Sequence, residues 1–134
     1  MLKTLTNILK YFTNLSDREN CPSWAYSYWE KVSKKSKNFE SYKVYIIKCE
    51  LENERFFKIG KTFTNISIRY KNNISYNYKI VYYKTFNDAN ECSKYEKELQ
   101  ALNKNNKYKP LINFAGSSEC FNSVSIDALS TYID

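Results

Sequence analysis

Residues 41–62 read SYKVYIIKCELENERFFKIGKT, and this stretch decides the fold. From Ser41 to Cys49 β-branched and aromatic residues recur with a period of two, the pattern of a strand. ELENER (50–55) is polar and turn-forming, and FFKIGKT (56–62) reads as the returning strand of a hairpin. A hairpin makes the pairing antiparallel. On strand geometry Tyr45 shares a face with Ile47 and Cys49, and Val44 lies on the other.

Working outward, the period changes to that of a helix. Downstream, Thr64 can cap a short helix, NISIRYKNN, with Ile66, Tyr70 and Ile74 on one side. YKIVYYKTF (78–86) is a third strand. NDANECSKYEKELQALNK (87–104) is the clearest helix: Asn87 caps it, and Ala89, Cys92, Tyr95, Leu99 and Leu102 form its apolar stripe. A turn marked by Pro110 leads to LINFAGSSECF, with a short strand or edge piece, and a brief helix is expected from Ser125. Upstream, Leu2, Leu5, Ile8, Leu9, Phe12 and Leu15 predict an amphipathic helix, broken between Ser16 and Pro22. A second helix is expected from Ser23 to about Lys37, with Trp24, Tyr28 and Val32 on one face.

These elements predict an α+β protein: a small, mainly antiparallel three-stranded sheet flanked by helices, with an N-terminal helical extension. The expected division is an extension over 1–40, the main domain over 41–122 and a C-terminal helix over 123–134. At 134 residues, 43% hydrophobic and 17% aromatic, the chain has material for one packed core. No apolar run approaches the ~18 residues of a membrane span, and no signal-peptide pattern opens the chain.

The net charge is +7, and residues 42–122 alone carry +6. That balance suggests a polyanionic partner, nucleic acid before membrane, although lysine also serves simply to solvate a surface. Cys21, Cys49, Cys92 and Cys120 form no CxxC pair and read as buried thiols of a reducing cytoplasm. There is no histidine at all. Chemistry with a histidine base or ligand is excluded, so proton transfer falls to Tyr, Lys, Glu, Asp or water.

Three residues stand out against this background. Glu96 falls within about 60° of the centre of the apolar stripe on a helical wheel, where a carboxylate is costly unless paired or bound to a metal, although a glutamate at the stripe's edge also snorkels to solvent. Gly60 is one of only two glycines; it ends a strand just before a capped helix, a place for either an ordinary turn or a phosphate contact. Arg69 is one of three arginines; its guanidinium can clamp a phosphate as an ammonium cannot, and a surface ion pair is the plainer role for it.

The order VYI (44–46), KIG (58–60), Arg69, mid-helix Glu96, then Asn113 before FAGSSECF resembles the GIY-YIG nuclease superfamily. It is most similar to the branch with KIG as second half-motif, found in phage proteins and homing-endonuclease-like genes. The resemblance spans about 42–122 and implies an endonuclease that hydrolyses DNA phosphodiesters. It implies that Tyr45 is the general base and that Lys58, in place of a second tyrosine, activates it and contacts the phosphate. Arg69 would stabilise the phosphoryl charge, and Glu96 would be the sole protein ligand of one divalent ion, Mg²⁺ or Mn²⁺. Asn113 stands for the late polar residue, with Glu119 competing for that role. Lys43 departs from the family's glycine without removing a reacting group.

A tyrosine with an ordinary pKa of ~10 is a poor base at neutral pH, so such a site needs neighbouring cations. Beside the catalytic set, Lys61, Arg69 and Lys71 are expected to meet the DNA. A domain that keeps the fold and binds nucleic acid without cutting it is the alternative. The N-terminal helices are the place for a further protein partner.

Overall fold

The computed structural model describes residues 23–70, 74–127 and 132–133. The expected helix over 2–15, Cys21 and Lys71 lie outside them.

The hairpin forms as the sequence predicts. Strand β1, Tyr42–Leu51, pairs antiparallel with β2, Glu54–Thr62, with Leu51 opposite Glu54 and Tyr45 opposite Gly60. Its two-residue loop puts Glu52 at a positive φ of 55°, a conformation that favours glycine. Strand β3, Asn77–Phe86, pairs antiparallel with the other edge of β1, with a bulge between Ile46 and Ile47.

The sheet has four strands rather than three. Cys120–Phe121, β4, pairs with Lys58 and Phe57 and gives the order β3-β1-β2-β4. The expectation of a short strand in this segment is thus met, on the open edge of β2. Because β4 stops at Lys58, the edge of β2 beyond it is closed by other groups, among them Gln100, whose Nε2 donates to Ile59 O.

Helices α1 (Ser23–Lys35), α2 (Ile66–Tyr70) and α3 (Ala89–Leu102) flank this sheet. Period-two alternation sorts the strands into two faces, each with its own core. Val44, Ile46, Phe57 and Ile59 pack with Ala89, Cys92 and Leu99 of α3. Tyr45, Ile47, Cys49 and Phe56 pack on the opposite face with Ile66 and Tyr70 of α2, together with Tyr76 and Cys120.

Several local readings are corrected. Asp88, not Asn87, caps α3 by accepting from the Glu91 N–H at 3.0 Å. At α2 it is Asn65, not Thr64, whose side chain accepts from the Ser67 N–H, at 2.9 Å. Leu102 is exposed, while Ser93 and Glu96 take buried places on α3. The α1 face that packs is Trp29 and Ser33 rather than one including Val32, which is exposed. Ser33 is held by Tyr42, hydroxyl to hydroxyl at 2.7 Å, and Trp29 meets the rings of Tyr42 and Phe63.

The tail also differs from the expected helix at Ser125. Val124–Ser125 (β5) pairs with Tyr132–Ile133 (β6) as a second small sheet. Asn103, buried just past α3, anchors it: its Nδ2 donates to Leu99 O and Ser125 O, and its Oδ1 accepts from the Ser125 N–H. Cys49, Cys92 and Cys120 are buried free thiols, as expected. Burial pushes Cys49 and Cys92 each up to about 12. No helix among the described residues is long and apolar enough to cross a membrane.

Candidate functional site

Strand register brings the first three site residues together. Tyr45 lies opposite Gly60, and Lys58 lies opposite Ile47, so all three side-chain positions share one face of the hairpin. Lys58 Nζ donates to Tyr45 Oη at 3.3 Å. Tyr45 Oη is also hydrogen-bonded to Tyr70 Oη, across from α2. The two rings meet edge to face at 5.8 Å, and Lys58 Nζ lies 5.4 Å from each ring centroid.

The glycines explain how this group fits. A Cβ on Gly60 would lie 2.5 Å from Tyr45 Oη and 2.9 Å from Lys58 Nζ. A Cβ on Gly116 would lie 2.6 Å from Lys58 Cε, at a φ of +90° that already favours glycine. Both glycines of the chain therefore serve one lysine.

Lys58 is 1% exposed. Burying an ammonium without compensation costs several kcal/mol. Here the two aromatic faces, the Tyr45 oxygen and the Glu119 carboxylate, 3.9 Å away, compensate it. Glu119 ends the 3₁₀ turn Ser117–Glu119 and also accepts from Gln100 Nε2 at 3.4 Å.

Glu96 sits on α3, which packs against the opposite face of the sheet from Tyr45. It is 2% exposed on α3, one helical turn before Gln100, which bonds both Glu119 and the Ile59 carbonyl at the β2 edge. Glu96 and Glu119 are the two buried carboxylates of the described residues, and of the two it is Glu119 that meets Lys58. No group of three Cys, Asp or Glu able to cage a metal occurs among the described residues. Glu96 alone would offer a hard ion such as Mg²⁺ or Mn²⁺ one carboxylate, which is no zinc or calcium cage.

The remaining expected residues fall elsewhere. Asn113 is exposed, its Oδ1 accepting from Ser117 Oγ at 3.1 Å, so the direct contact with Lys58 belongs to its competitor Glu119. Lys61, expected at a DNA-facing surface, is instead buried; its Nζ donates to Ser93 Oγ at 2.9 Å and lies 4.4 Å from the Trp29 ring. Lys43 is buried too, donating to the Thr64 carbonyl at 3.0 Å. Arg69 lies on α2 directly before Tyr70, with its side chain outside the described residues; Lys71 is outside them altogether.

Sequence reading missed Tyr70, Gly116 and Gln100 as members of this group. Tyr70 reads as one more apolar residue of a short amphipathic helix, and only the fold brings its hydroxyl to Tyr45. The rarity of glycine was the available signal for Gly116.

No curated protein and no solved structure matches the chain. The T5orf172 domain matches residues 42–134, from the first residue of β1 through β6, and so includes the tail as well as the Tyr45–Lys58 group. On that match, which spans well over half of its length, the chain belongs to the T5orf172 domain family.

Proposed function

We propose that this protein is a metal-dependent endonuclease of GIY-YIG type that hydrolyses DNA phosphodiesters with Tyr45 as general base. The observation that carries the reading is the convergence of Tyr45, Lys58 and Tyr70 on one phenolic oxygen, in space kept open by the only two glycines. Membership of the T5orf172 family, a phage-associated domain of the endonuclease-related group, supports it.

The chemistry follows from the donors around that oxygen. Donation from Lys58 and Tyr70 stabilises a phenolate over a phenol, because both hydrogen bonds strengthen when the oxygen is charged. The Tyr45 oxygen takes a proton from a water molecule, and that water's oxygen bonds to phosphorus. The P–O3′ bond breaks, and the leaving 3′ oxygen is protonated by solvent, giving a 5′-phosphate and a 3′-hydroxyl. Arg69 stabilises the charge growing on the non-bridging oxygens. Glu96 would hold the divalent ion, which when bound would supply positive charge to polarise the phosphate. Glu119 fixes Lys58 from the far side and keeps its ammonium aimed at Tyr45.

One observation favours a second reading. Tyr45 is fully buried and Lys58 nearly so, and such enclosure also suits a module that binds nucleic acid through the same fold without cutting it. Plasmid incubated with Mg²⁺ or Mn²⁺ separates the two. The nuclease reading expects nicking or linearisation by wild type and its loss in Glu96→Ala. Cleavage that survives both Glu96→Ala and Tyr45→Phe sinks the assigned site, and DNA binding without cleavage under either metal supports the second reading.

A further inference from the structure

Gln100 has no role in the proposed reaction, yet it ties α3 to the Tyr45 site. α3 packs on the sheet face opposite Tyr45. From the edge of β2, Gln100 Nε2 donates to Ile59 O at 3.2 Å and to Glu119 Oε2 at 3.4 Å. Both neighbours are acceptors only, so the pair of contacts requires the amide nitrogen and uses its two hydrogens.

The oxygen that Gln100 meets is also the one that faces Lys58. Glu119 Oε2 lies 3.9 Å from Lys58 Nζ, and Lys58 Nζ donates to Tyr45 Oη at 3.3 Å. Glu119 and Lys58 are both buried, so solvent does little to replace or screen these contacts. The other titratable groups at Lys58 and Tyr45 are Tyr70 from α2, Cys49 from β1 and Cys120 from β4. Burial raises both thiols and keeps them neutral, so the negative charge that Lys58 meets there is that of Glu119. The amide of Gln100 takes up part of that charge. Without it, Glu119 draws the ammonium harder, and the hydrogen bond from Lys58 to Tyr45 weakens.

We infer that Gln100 is a positioning residue for Tyr45: through Glu119 it sets how closely the Lys58 ammonium approaches the phenolic oxygen. This role rests on Tyr45 being the base of the proposed reaction, but the coupling itself is read without cleavage.

The experiment is NMR of the full chain carrying carbon-13 at each tyrosine Cζ, the Tyr45 signal being the one lost in Tyr45→Phe. Wild type is compared with Gln100→Leu, which removes the amide, and Gln100→Glu, which keeps its size but donates no hydrogen at neutral pH. Tyr95 stands on α3 and is hydrogen-bonded to Tyr82 of β3 at 2.8 Å, so its signal reports whether the helix stays docked. The Tyr45 signal moves in both variants, further in Gln100→Glu, and the Tyr95 signal stays. Single-turnover cleavage falls about three- to tenfold in Gln100→Leu, for one weakened charge-assisted hydrogen bond, with affinity for duplex DNA within about twofold of wild type. A Tyr45 signal unmoved in both variants overturns the role. A Tyr95 signal that moves as far as that of Tyr45 also overturns it, since Gln100 is then an anchor of the helix only. So does a loss of DNA affinity in place of a loss of rate. No cleavage by any form, wild type included, with the Tyr45 signal moving as expected, removes the nuclease reading alone; wild-type cleavage with an unmoved Tyr45 signal removes this inference alone.

Discussion

Gly60 is the residue on which the Tyr45 site turns. Alanine there places a methyl group within 2.9 Å of both Tyr45 Oη and Lys58 Nζ. The phenol is packed on the hairpin and cannot retreat freely, so Gly60→Ala is expected to destabilise the protein by about 1–3 kcal/mol in urea unfolding. Unchanged stability would mean that the phenol and the ammonium shift without cost. Glu54 gives a second test at this scale. Burial pulls its carboxyl up, but hydrogen bonds from Tyr108, Tyr76 and the Leu111 N–H hold it below the usual range. Its contribution to stability is therefore present above the unfolded value of ~4.3 and lost as pH falls through the lower folded value. Glutamine mimics the protonated acid, so the gap in thermal midpoint between wild type and Glu54→Gln, clear at neutral pH, should close below about pH 4. Tyr108, pushed up to about 12 by its bond to Glu54 and by burial, gives the opposite sign: its share is present below ~10 and lost as pH rises through about 12.

At the scale of elements, the hairpin loop carries a strained residue. Glu52 holds a φ of 55° at the first position of a two-residue turn, where glycine is free of the Cβ penalty. Glu52→Gly is expected to raise stability by up to about 1 kcal/mol, the relief of left-handed strain less the added chain entropy. A loss of stability would show that the Glu52 side chain holds the turn by some other contact. This hairpin, and the two-sided sheet built on it, were legible in the sequence because alternation is a local property of 41–62. The wheel of α3 places Glu96 near the apolar stripe but equally allows it to reach solvent from the stripe's edge, and only the fold buries it. What stayed hidden arrives through contacts distant in sequence. The β4 pairing depends on a two-residue strand, the Tyr70 hydroxyl crosses from α2, and the packing face of α1 is set by where Lys61 and Tyr42 stand. Caps one residue away from the predicted ones, Asp88 and Asn65, reflect the ordinary ambiguity between adjacent capping residues.

For the whole molecule, one of the two cores encloses Tyr45 with Lys58 and Gly60 on the same face of the hairpin, and the loop before β4 brings Gly116 and Glu119 against Lys58, while Glu96 is buried on α3. With no histidine in the chain, the proposed reaction gives proton transfer to the Tyr45 phenol, to which Lys58 donates and which shares a hydrogen bond with the Tyr70 hydroxyl. The most direct measurement is the single-turnover rate of DNA cleavage at saturating Mn²⁺, wild type against Tyr45→Phe, with the unfolding midpoint of each recorded. Removing a general base is worth about 10²–10⁴ in rate. The account predicts a fall of at least about a hundredfold in Tyr45→Phe, with stability lowered by about 1–3 kcal/mol because Lys58 and Tyr70 lose a buried partner. A Tyr45→Phe rate within about twofold of wild type contradicts it, because no general base is then lost with the Tyr45 hydroxyl.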